Sequence, residues 1–149
     1  RYLKTGEWQP KDTVATLSNA MDVSQPNNWP RIEAMIEEGQ VDKSDISGAT
    51  IDEEYTQVAM RQLASLGYVS EPHAAIAYKA LVRKMEEGQT GIFLGTAHPA
   101  KFRETVENVL GQPISLPKPL ADCAGKEGLS VELPCDYQAL KAHLFSLLG

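Results

Sequence analysis

The stretch GIFLGTAHPAK, residues 91–101, constrains the fold more than any other part of the chain. Its apolar-led run, residues 91–94, lies between Gly91 and Gly95, with helix-period patterns on both sides. A short apolar run in that setting reads as a parallel strand buried on both faces, because crossover helices cover each side of a parallel sheet. The polar turn Gly95-Thr96-Ala97-His98 then ends the strand. Pro99 reopens the chain as a helix whose Phe102, Val106, Val109 and Leu110 share a face. Ligands of open α/β sheets bind beyond the carboxyl ends of the strands, and a helix that starts straight after the turn aims backbone N–H groups at that place. Thr96 brings a hydroxyl there, and His98 brings a ring that titrates near neutrality. The same spacing also describes a plain strand-to-helix turn with Thr96 as its cap.

The remaining pattern fits around this unit. Residues 13–17, TVATL, are rich in β-branched side chains and read as a strand. The loop SNAMDVSQPNN at 18–28 follows, and Asn27 or Asn28 can cap a helix opening at Trp29-Pro30. That helix aligns Ile32, Met35 and Ile36 and ends at Gly39; residues 40–50 are polar, with a weak strand at 46–50. Thr50 and Glu53 have capping-box spacing, and Ile51, Tyr55, Val58, Ala59, Leu63 and Leu66 form a stripe up to Gly67. A further helix opens at Ser70-Glu71-Pro72-His73, with Ser70 as cap and Glu71 in the first turn. Its apolar face is Ala74, Ala77, Tyr78, Leu81 and Met85. Prolines punctuate 111–134, which reads as an irregular arm over the surface. A last helix spans about 135–148, with Tyr137, Leu140, Leu144, Leu147 and Leu148 facing inward. The element order predicts an α/β fold, a mostly parallel sheet with flanking helices. Only two or three strands are convincing, so the sheet is expected to be incomplete in this chain.

Composition excludes several function classes. A net charge of −6 opposes a nucleic-acid or anionic-membrane partner, since both require clustered positive charge. Two cysteines, Cys123 and Cys135, are too few for a disulfide scaffold or a zinc site. His73, His98 and His143 show no metal-ligand spacing, so no metal is expected. Walker, GxGxxG and GxSxG patterns are absent. With no signal-peptide pattern and no run of 18 apolar residues, the expected compartment is the cytoplasm. Glu71 with His73 reads either as a catalytic pair or as a favourable acidic helix start. Asn19, Asn27 and Asn28 could bond a ligand or their own backbone. The opening RYLKTGEWQP begins without Met or a cap signal and reads as the middle of something longer.

Three stretches together resemble threonine synthase: TVATLSNAMDVSQPNNWPR at 13–31, GYVSEPHAAIAYKAL at 67–81 and FLGTAHPAKF at 93–102. Their order and spacing fit, as do ISLPKPLA at 114–121 and LPCDYQALKAHL at 133–144. The likeness is to the bacterial form that makes threonine from O-phosphohomoserine, and it covers nearly the whole chain. Residues 37–52 match no motif of the family.

The resemblance implies part of a pyridoxal-phosphate (PLP) enzyme of fold type II, the tryptophan-synthase-β-like fold. Residues 1–111 would be the C-terminal part of the PLP-binding α/β domain, and 112–149 a surface arm and terminal helix of the same domain. Thr96 matches the hydroxyl residue that bonds the pyridine nitrogen, and His98 a histidine beside the cofactor turn. Asn19, Ala20 and Met21 fall on the loop lining the cofactor ring, and Glu71 near the ring-nitrogen end. The lysine that carries the cofactor, the principal acid–base group, and the glycine-rich phosphate loop belong to the family's N-terminal portion. Neither has a match here, so no catalytic residue is assigned and the chain is expected to be inactive alone. The implied partners are that N-terminal portion and O-phospho-L-homoserine, which the whole enzyme converts with water to L-threonine and phosphate. Two other readings stay open: a related PLP-dependent phospho-lyase of the same fold, and a non-catalytic binding or assembly module.

Overall fold

The computed structural model describes residues 2–148; Arg1 and Gly149 lie outside the described residues. The chain divides into two compact units, Arg1–Ser115 and Leu116–Gly149. The first contains helices α1 (Tyr2–Thr5), α2 (Trp29–Glu37), α3 (Glu53–Ser65), α4 (Pro72–Lys84) and α5 (Arg103–Leu110), with 3₁₀ turns at Asn19–Met21, Lys43–Asp45 and Pro99–Phe102. The second contains α6 (Lys118–Ala124) and α7 (Tyr137–Ser146).

Ala59, Met60 and Leu63 of α3, Ala75 of α4 and Val106 of α5 make the buried core of the first unit. Val69, Tyr78, Phe93, Phe102, Val109, Leu110 and Ile114 pack around it. Burial of Met60 alone stabilises the unit by roughly 1.5–3 kcal/mol. Helix α3 starts at Asp52, whose carboxylate accepts the Tyr55 N–H at 2.9 Å. The sequence points to Thr50 with Glu53 instead. An aspartate sets its charge against the positive helix end as well as capping it, which favours Asp52. The buried face of α3 is Thr56, Ala59, Met60 and Leu63, whereas Tyr55, Val58 and Leu66 of the predicted stripe are exposed. The Tyr55 ring lies outside the core and carries the Arg83 guanidinium 4.7 Å from its centroid. Thr56 is tolerated inside because its hydroxyl donates to the Asp52 carbonyl at 2.8 Å.

The predicted parallel sheet is not seen: no strand occurs among the described residues. Residues 13–17, 46–50 and 91–94 do not pair with one another, and a ladder needs a partner segment. Side chains take the backbone donors instead. The Thr16 N–H goes to Asp22 Oδ2 at 2.7 Å, and the Leu17 N–H to the Glu53 carboxylate at 3.2 Å. In the 91–94 run, Phe93 packs on the core while Ile92 and Leu94 are 84% and 75% exposed. Gly91 lies against α4, where an added Cβ would come 2.8 Å from Leu81 Cδ2.

Helix α5 ends at Gly111, in the left-handed conformation at φ 68°. Glu107 ties the segment beyond it back to the helix, accepting from Arg103 Nε at 2.8 Å and from the Ile114 N–H at 2.9 Å. The Arg103 hydrogen bond, then the Ile114 bond, hold the Glu107 carboxyl below its ordinary range. A depressed folded-state pKa adds stability above the unfolded value near 4.5 and loses it as pH falls through the folded one. Glu107→Gln should therefore lower the melting temperature at pH 7, and the difference from wild type should close as pH falls through the depressed folded-state value. A deficit that persists unchanged at low pH would show that the charge is not responsible.

In the second unit, α7 is capped by Asp136, which accepts the Ala139 N–H at 2.8 Å. Its predicted inward residues, Tyr137, Leu140, Leu144, Leu147 and Leu148, are all exposed. A unit this small cannot bury the faces of two helices. The arm at 112–134 contains α6, stapled by Lys118 Nζ to Asp122 at 2.9 Å, where the sequence reads as irregular. Among the described residues no helix is long and apolar enough to cross a membrane.

Candidate functional site

The turn between Gly95 and Phe102 rests on the start of α4. Glu71, not Ser70, is the cap of that helix: its carboxylate accepts the His73 and Ala74 N–H groups, each at 2.7 Å. Pro72 occupies the first helical position, where a missing N–H costs nothing. Glu71 Oε2 also pairs with His73 Nδ1, and Glu71 is 1% exposed. The His73 ring lies 4.9 Å from that of Phe102, the last residue of the 3₁₀ turn. His73 Nε2 and Ser70 Oγ are buried with no hydrogen-bond partner among the described residues.

Gly95 sits close against its neighbours. A Cβ there would come 2.7 Å from Tyr68 Oη and 3.6 Å from Ala74 Cβ. The first obstacle is the end of a movable side chain, so Gly95→Ala should cost about 1 kcal/mol by displacing Tyr68. Pairing it with Tyr68→Phe should recover most of that loss, because the remaining ring carbon sits 3.9 Å away. Equal melting curves for the single and double variants would refute this account.

Beyond Gly95, Thr96 is exposed, with no hydrogen bond among the described residues. His98 rather than Thr96 caps the 3₁₀ turn, its Nδ1 accepting the Ala100 N–H at 3.1 Å. That bond leaves the proton of the neutral ring on Nε2. His98 also lines a cavity of about 530 Å³ with Tyr68, Val69, Pro113 and Ile114. Asn19 and Ala20 line a second cavity, about 320 Å³, together with Lys101, Phe102 and Thr105. Their 3₁₀ turn is held by Asp22, which takes both the N–H and the hydroxyl of Thr16. Met21 is exposed and borders another cavity with Trp8 and Trp29. The structure thus brings Asn19 and Ala20 beside the turn that follows Thr96 and His98. Glu71 stands behind that turn, inside the protein. Asn28 begins α2 without a side-chain cap bond, and Asn27 lines a cavity with Trp8 and Trp29. The sequence does not foretell the ring contact of His73 with Phe102, whose partners are 29 positions apart and follow no local periodicity.

Comparison with known proteins agrees with these stretches. The family model "Threonine synthase, C-terminal" matches residues 74–144. Threonine synthase of Serratia marcescens is 54% identical over 147 residues, covering 99% of this chain and 34% of the relative. The crystal structure of threonine synthase from Escherichia coli superposes with a TM-score of 0.86 at 52% identity, over 99% of this chain and 34% of the other. The PLP-bound threonine synthase from Brucella melitensis, at 23% identity and a TM-score of 0.74, covers 97% of this chain and 37% of its own and shares the fold. The chain spans about a third of the length of the curated relatives it matches. Since the identity runs through 99% of the chain and the helices superpose along the same span, the chain belongs to the threonine synthase family, as its C-terminal part.

Proposed function

We propose that this chain supplies one wall of the cofactor site of a threonine synthase that converts O-phospho-L-homoserine and water to L-threonine and phosphate, with pyridoxal phosphate as cofactor. The observation that carries the reading is 54% identity to a threonine synthase over 99% of the chain. The N-terminal portion of the enzyme is its partner and supplies the lysine and the phosphate loop. That portion also completes the parallel sheet of the type II fold, pairing with residues 13–17 and 91–94 and covering Ile92 and Leu94. Residues 1–111 then belong to the cofactor-binding domain, and 112–149 form its arm and terminal helix. The compartment is the cytoplasm.

The residues present fit the pyridine end of the cofactor. Thr96 offers an exposed hydroxyl with no competing partner among the described residues, suited to a neutral ring nitrogen. When bound, the cofactor accepts the electron density released as the α and β protons leave. Thr96 tempers that acceptance, because a hydroxyl does not hold a proton on the nitrogen as a carboxylate would. Asn19, Ala20 and Met21 would line the ring, His98 would stand beside it, and Glu71 would support the turn from behind.

The test uses the full-length protein, incubated with pyridoxal phosphate and O-phospho-L-homoserine. Uptake of the cofactor, with equal release of threonine and inorganic phosphate, is the expected result. Cofactor uptake with phosphate released only from another phosphorylated amino acid would replace the substrate. No uptake at all would overturn the reading.

A further inference from the structure

We infer that Glu71 and His73 are positioning residues that set the Thr96 turn through Phe102, and that neither touches the cofactor; this rests on the reading above. Glu71 is turned inward, its carboxylate 1% exposed and engaged by the start of its own helix. Oε1 takes the Ala74 N–H, and Oε2 takes the His73 N–H and Nδ1, in a side chain that is buried. The carboxylate engages the Nδ1 side of the His73 ring. Nε2 is enclosed, so no reactant reaches it. A catalytic pair needs an accessible nitrogen within hydrogen-bond reach of the transferred proton, and this pair has none.

What the pair does have is mechanical hold. The first turn of α4 reaches both ends of residues 95–102: a Cβ added at Gly95 would come 3.6 Å from Ala74 Cβ, and the His73 ring lies 4.9 Å from that of Phe102. Thr96 and His98 are carried between these two contacts. With Nε2 unpartnered, Glu71 and Phe102 fix the ring's orientation between them. Loss of the ring frees one end of the turn, and a small displacement of a positioned group is enough to weaken what it holds.

The experiment is made on the full-length protein. Amide hydrogen exchange of residues 95–102 should rise about tenfold or more in His73→Ala, while buried amides of α3 stay as in wild type. Phe102→Leu, which keeps the bulk but removes the ring contact, should give the same local pattern and serves if the alanine variant does not fold. Pyridoxal phosphate affinity, read from the cofactor's absorption band, should fall about tenfold on His73→Ala. In a Thr96→Val background it should change less than about twofold, since residues acting through one another are not additive. Unchanged exchange at 95–102, or equal affinity losses in both backgrounds, would overturn the inference. If the wild-type protein takes up no cofactor, the proposed function fails, and the exchange comparison still decides whether the pair positions the turn.

Discussion

Glu71→Ala is expected to destabilise the α4 segment by about 3 kcal/mol, the largest effect of any single substitution outside the core. The side chain is 1% exposed and accepts from three donors. Loss of a helix cap costs about 1 kcal/mol. Each buried donor left without an acceptor adds roughly 1–3 kcal/mol, reduced where water enters the space. The freed donors belong to two adjacent residues, so their costs overlap and the total stays below the simple sum. Glu71→Gln should lose about half as much, since its amide oxygen can still accept one N–H while its amide nitrogen faces the others. Hydrogen exchange of the interior amides of α4, compared with those of α3, reads the difference directly. A loss below about 1 kcal/mol for the alanine variant would show that solvent replaces the carboxylate at little cost.

The same residue shows what the sequence conveys and what it does not. The helix start at SEPH is legible because Pro and an acidic residue have a local physical reason to stand there. The choice of Glu71 over Ser70 as cap is not, because either side chain can accept an N–H and only burial decides between them. Helix α3 is legible as a helix but not in its facing. The stripe read from the sequence holds Tyr55 and omits Met60, whereas the helix buries Met60 and sets Tyr55 outside, beside the cations Arg83 and Lys79. Residues 91–94 carry the pattern of a buried strand, yet strand pairing is a property of two segments. Ile92 and Leu94 remain exposed where the described residues offer no partner. Helix α6 escapes notice because its prolines at 117 and 119 look like breakers, although proline is well placed in a first turn. Of the site, Thr96 and His98 are visible as a polar turn between an apolar run and a helix. The roles they take are not, since Thr96 and His98 both have the chemistry of a cap and His98 is the one that serves.

Thr96→Val in the full-length protein should leave stability within about 0.5 kcal/mol, because the side chain is exposed and has no hydrogen bond among the described residues. Valine nearly matches threonine in shape, so any loss of cofactor reads the hydroxyl itself. A single hydrogen bond of about 0.5–1.5 kcal/mol predicts a loss of affinity of roughly twofold to tenfold. Turnover should fall further, on the order of 100-fold, because a ring no longer fixed at its nitrogen drifts from the attacking groups. Thr96→Ser restores the hydroxyl and should return most of both quantities. Thr96→Asp separates binding from electronics. A carboxylate keeps a proton on the ring nitrogen, so the cofactor should bind at least as well as in wild type while its absorption band shifts and threonine formation drops. If Thr96→Asp instead matched wild-type turnover, the ring nitrogen would have to be protonated already. Thr96 would then not be the group that meets it.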